Sequence, residues 1–68
     1  MKKYLTQKQA RTSYNCIKDR FSGYEGLHRR KQLLINLVGL VKKGTEMRNT
    51  IETAIKNIDV EIEKLRLA

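Results

Sequence analysis

Two side chains in this sequence are suited to covalent or proton-transfer chemistry near neutral pH. They are Cys16, the only thiol, and His28, the only imidazole. No third residue stands at a spacing that would orient them as a nucleophile and its base, and a chain of 68 residues leaves little volume for a substrate pocket. One Cys and one His also fall short of the four ligands of a structural zinc site. The expectation is therefore a non-enzymatic protein with no catalytic residue, no metal and no cofactor.

The chemistry the residue types do offer is attraction of anions. His28-Arg29-Arg30-Lys31 are consecutive, Tyr24 precedes them, and Lys8, Arg11, Lys18 and Arg20 lie earlier in the chain. Residues 1–31 hold nine Lys/Arg against Asp19 and Glu25, whereas residues 32–68 hold six against five acids. Nearly all of the net charge of +8 thus belongs to the first half. Such asymmetry predicts an anionic partner on that half, with nucleic acid the commonest kind. Lys8, Arg11, Lys18, Arg20, Tyr24, His28, Arg29, Arg30 and Lys31 are the candidate binding residues. Tyr24 is placed to stack on a base, while Tyr14 falls among apolar positions and reads as structural. The same charges also suit an acidic protein or a phosphorylated small molecule. They equally suit a solvated turn partly neutralised by Asp19 and Glu25.

Three helical segments must position these residues. Leu5-Thr6-Gln7-Lys8-Gln9-Ala10 opens the first, with Thr6 and Gln9 at capping-box spacing and Leu5 free to staple onto Ala10. Ala10, Tyr14, Ile17 and Phe21 form its apolar stripe, Lys8, Arg11, Asn15 and Lys18 share another face, and Ser22-Gly23 supplies the stop. The helix is expected over about residues 7–22. Gly23-Tyr24-Glu25-Gly26 then reads as a tight loop in which both glycines permit positive φ.

The second helix, about 25–43, is the most apolar stretch of the chain. Leu27, Leu34, Val38 and Val41 share a face that Leu33, Leu37, Leu40 and Ile35 widen to about 200°. Its first turn would hold the four consecutive cations, against the dipole preference for acids there. An anion at that end removes the conflict, because open N–H groups and guanidiniums attract it together. Lys42 and Lys43 suit the far end of this helix, and Gly44 terminates it.

Thr45 is positioned to cap a third helix, about 45–66, in which Met47, Ile51, Ala54, Ile55, Ile58, Ile62 and Leu65 keep one face. Ile51, Ile55, Ile58, Ile62 and Leu65 are its packing or oligomer face. The expected fold is all-α: one domain over residues 1–68, a three-helix antiparallel bundle or a helical hairpin with a docked N-terminal helix. A core this small, with no disulfide or metal to staple it, predicts completion by homo-oligomerisation. The longest apolar run, Leu33 to Val41, is about half of what a membrane span requires. The unpaired Cys and the lack of a signal-like N-terminus fit the reducing cytoplasm.

Overall fold

The computed structural model describes residues 3–21 and 23–67. They form three helices: α1 (Gln7–Lys18), α2 (Gly23–Val38) and α3 (Glu46–Leu67). No strand occurs among the described residues. The expected all-α class is what the chain adopts, with boundaries that differ in instructive ways.

α1 starts as its sequence dictates. The Thr6 N–H donates to Gln9 Oε1 at 3.0 Å, and the Gln9 N–H donates to Thr6 Oγ1 at 3.1 Å. This closes the reciprocal box and satisfies two otherwise open amides. Leu5 is half-buried against the core that contains Ala10. The helix stops at Lys18 rather than continuing to residue 22. Its last carbonyl, that of Lys18, accepts a hydrogen bond from Arg30 Nη1 at 2.9 Å, so a side chain of α2 closes α1. Ser22, expected to help end α1, lies outside the described residues.

The segment Gly23–Gly26 is not a loop but the first turn of α2. Gly23 has φ of 79°, a left-handed conformation that turns the chain into the helix. Gly26 is a glycine for another reason. A Cβ there would stand 2.9 Å from the Phe21 carbonyl carbon and 3.0 Å from the Phe21 Cβ. The start of α2 is thus pressed directly onto the chain that leaves α1.

α2 ends at Val38, five residues short of the expected 43. The Leu40 and Val41 N–H groups donate to the Leu37 and Val38 carbonyls, tightening the last turn. The Leu40 carbonyl in turn accepts from the Leu5 N–H at 2.8 Å. Arg48 Nη1 donates to the carbonyls of Val38 (2.8 Å) and Val41 (3.0 Å). Val41 is consequently buried from within this turn rather than from a helix face. Lys42 and Lys43 lie beyond the helix, and Gly44 takes φ of 84° in the connection to α3. The apolar arc of α2 is also narrower than its composition implies, since Ile35 and Leu40 are exposed.

At the start of α3 the Arg48 N–H reaches Thr45 Oγ1 at 3.4 Å, and the Met47 N–H donates to Gln7 Oε1 at 3.1 Å. Three side chains therefore close three helix ends in a ring. Gln7 of α1 closes α3, Arg48 of α3 closes α2, and Arg30 of α2 closes α1. Within this frame Leu27, Leu34 and Leu37 pack with Met47, Ile51, Ile58, Ile62, Ala10 and Val41. The pairing of α2 with α3 is the most extensive of the three.

Replacing Arg48 by Gln should lower stability by about 1.5–3 kcal/mol, the range for hydrogen bonds made by a charged group. Two carbonyls lose their donor together, so the urea midpoint should fall. An unchanged midpoint would show that solvent satisfies this turn equally well.

Candidate nucleic-acid interface

Because α2 begins at Gly23, its open N–H groups belong to residues 23–26, and Glu25 sits among them. His28, Arg29, Arg30 and Lys31 lie in the following turn. The opposition between four cations and the helix dipole, expected from a start near residue 25, is therefore absent. This correction follows directly from where the helix starts.

The four consecutive cations diverge. His28 is exposed and meets Tyr24 edge-on, with ring centroids 4.7 Å apart and planes at 77°. Arg29 is exposed, its Cζ lying 5.5 Å from the centroid of the Phe21 ring. Arg30 is half-buried on the Lys18 carbonyl, and its Nε is buried with no hydrogen-bond partner among the described residues. Lys31 is ion-paired with Asp59 of α3. Arg30 and Lys31 thus hold helices together, a commitment invisible in a run of basic letters.

Lys8, Arg11 and Lys18 are exposed on α1, and helical spacing confines them to an arc of about 80°. Arg20 is exposed at the α1–α2 corner, where it shares a shallow cleft with Phe21, Glu25 and Arg29. Among the described residues the ion pairs are Lys31–Asp59, Arg48–Glu52 and Arg66–Glu63. Lys8, Arg11, Lys18, Arg20 and Arg29 take part in none of them.

Lys18 and Arg30 border an open groove of about 540 Å³ between α1 and α3, with Tyr14 on the same side and Leu34 lining it. Opposite stand Asn49, Thr50, Thr53 and Asn57, with Glu46 at the N-terminal end of α3. The acids Glu52 and Asp59 are engaged elsewhere, with Arg48 and Lys31. Apart from Glu46 at its N-terminal end, α3 therefore offers uncharged amides and hydroxyls to the basic edge of α1. Sequence reasoning missed this wall, although its signal was present: Asn49, Thr53 and Asn57 recur at i, i+4 and i+8.

The face expected for packing or association divides in two. Ile51, Ile58 and Ile62 are buried in the chain's own core, and Ile55 packs partly against it. Leu65 is 49% exposed and lines a second cleft with Phe21, Tyr24 and Leu27 at the N-terminal end of α2, bordered by Arg30, Glu61 and Arg66. Cys16 is exposed. Among the described residues no helix is long and apolar enough to cross a membrane, and no three His, Cys, Asp or Glu converge as metal ligands. Comparison with protein-family models, curated proteins and solved structures gives no match to this chain.

Proposed function

We propose that this is a small, non-enzymatic helical protein that binds the backbone of nucleic acid through α1 and the α1–α2 corner. The observation that carries this reading is the sorting of charge. Lys8, Arg11, Lys18, Arg20 and Arg29 are exposed outside any ion pair among the described residues and outnumber the exposed Asp19 and Glu25 beside them, while Glu52 and Asp59 of α3 are paired away from them. Exposed cations of one sign on one side attract a polyanion, and release of its counterions drives binding. Contacts of this kind fix position on the backbone without reading sequence, so selectivity among sequences should be weak. The same reading places the protein in the cytoplasm and treats its three helices as an antiparallel bundle. Association, most simply of two copies, is part of it, with Leu65 and Leu67 at 49% and 76% exposure the residues a second copy would cover.

The test is salt dependence combined with charge removal. Engagement of about four phosphates predicts a loss of affinity of roughly 50-fold on single strands and roughly 150-fold on duplex between 50 and 200 mM salt. Replacing Lys8, Arg11 and Lys18 together by Gln should preserve the helical circular dichroism and weaken binding at least tenfold, about 1.4 kcal/mol. Arg30 and Lys31 are unsuitable for this purpose, because removing them disturbs α1 and the α2–α3 pairing. Binding that ignores both salt and the three substitutions would defeat the reading.

A further inference from the structure

We propose that the groove between α1 and α3 seats one nucleotide of a single strand, with its phosphate between Lys18 and Arg30. This rests on the nucleic-acid reading above and specifies which form of nucleic acid the site takes.

Three features of the groove converge on this ligand. Its basic edge carries two cations, Lys18 and Arg30, and the Arg30 guanidinium is held at that edge by the Lys18 carbonyl. A phosphate brings several strong acceptor oxygens to such a site. Its volume, about 540 Å³, falls within the usual range for pockets that enclose a small organic ligand. The lining is also mixed in the way a nucleotide is mixed. Ala54 and the half-buried ring of Tyr14 contribute apolar surface above a floor formed by the buried Leu34 and Ile58. Beside Ala54 and Ile58 on α3, Thr53 and Asn57 supply a hydroxyl and an amide, each able to donate and to accept.

The same features discriminate against a duplex. In paired strands the base faces are stacked and the pairing edges are occupied, so neither the apolar lining nor the amide and hydroxyl wall finds a partner. A duplex then meets only the exposed cations of α1, Lys8 and Arg11 among them, by its backbone. An unpaired nucleotide can enter the groove and use cations, apolar surface and polar wall together.

The decisive experiment titrates the full chain into a labelled oligothymidylate of about ten nucleotides and into a hairpin duplex of similar length. Wild type should bind the single strand at least tenfold more tightly than the duplex at low salt. Thr53→Val combined with Asn57→Leu removes the polar wall and leaves every cation in place. This double variant should lose about tenfold on the single strand and nothing on the duplex. Thr53→Val alone exchanges one β-branched side chain for another on an exposed turn of α3, and should show a smaller loss of the same pattern. A helical variant that binds the single strand like wild type overturns the groove assignment and leaves the basic face intact. Failure of wild type to bind either oligonucleotide at low salt overturns the nucleic-acid reading and the groove with it.

Discussion

Leu34→Ala should leave most of the protein unfolded at 25 °C. Leu34 is 1% exposed, among the largest side chains buried to that degree, and it packs where all three helices contribute to the core. Leu→Ala at such sites costs about 2.7–5.0 kcal/mol, combining lost transfer energy with a cavity that the surroundings fill only in part. A core of this size supplies only about 3–5 kcal/mol in total, so the loss is comparable with the whole margin. Leu40→Ala is the matched control. Leu40 is exposed in the turn after α2, and its truncation should fall within about 0.5 kcal/mol of wild type. Urea titration followed by far-UV circular dichroism decides the matter. Two variants of equal stability would mean that Leu34 is not the centre of the core.

The second large effect runs against helix propensity. Gly26 lies within α2, where Ala is intrinsically favoured over Gly by about 1 kcal/mol. Gly26→Ala should nevertheless destabilise by about 1–3 kcal/mol, the usual cost of forcing extra volume into a packed site. The added methyl meets the backbone carbon and Cβ of Phe21, at 2.9 and 3.0 Å, rather than the movable end of a side chain. Truncating the Phe21 ring should accordingly fail to rescue it, because the obstructing atoms remain in any residue but glycine. Gly39→Ala provides the contrast. A Cβ at that position meets nothing nearer than the Asn36 carbonyl oxygen at 3.7 Å, so this change should be neutral or mildly stabilising. The order of thermal midpoints is thus Gly39→Ala at or above wild type, and Gly26→Ala below it.

These residues also show where a sequence informs and where it stops. The Thr6–Gln9 box and the periodic stripes of α1 and α3 depend on residues three or four apart, and such patterns are legible in one dimension. The ends of α1 and α2 depart from those that local spacing predicts, because Arg30 and Arg48 close them from 12 and 10 residues away in the chain. No local rule contains that partner. The Gly23–Gly26 stretch departs from the expected loop for a related reason: of its two glycines only Gly23 has positive φ, while Gly26 serves an approach to Phe21 that local spacing does not encode. For the candidate interface the count of cations was legible, but their allegiance was not. Whether a basic side chain faces solvent or a carboxylate depends on which helix lies opposite it, as Lys31 and Asp59 illustrate. The uncharged wall at Asn49, Thr53 and Asn57 went unnoticed because amides and hydroxyls on a helix are ordinary until a cavity is known to face them.

The reciprocal arrangement of Gln7, Arg30 and Arg48 has a bearing on how the chain acquires its shape. α1 is only 12 residues long, below the length at which an isolated helix persists in water. Its terminal turn awaits a guanidinium that emerges later from the ribosome, and α3 awaits an amide made near the beginning. The end of α1 is therefore completed only together with α2, and not ahead of it as the chain is made.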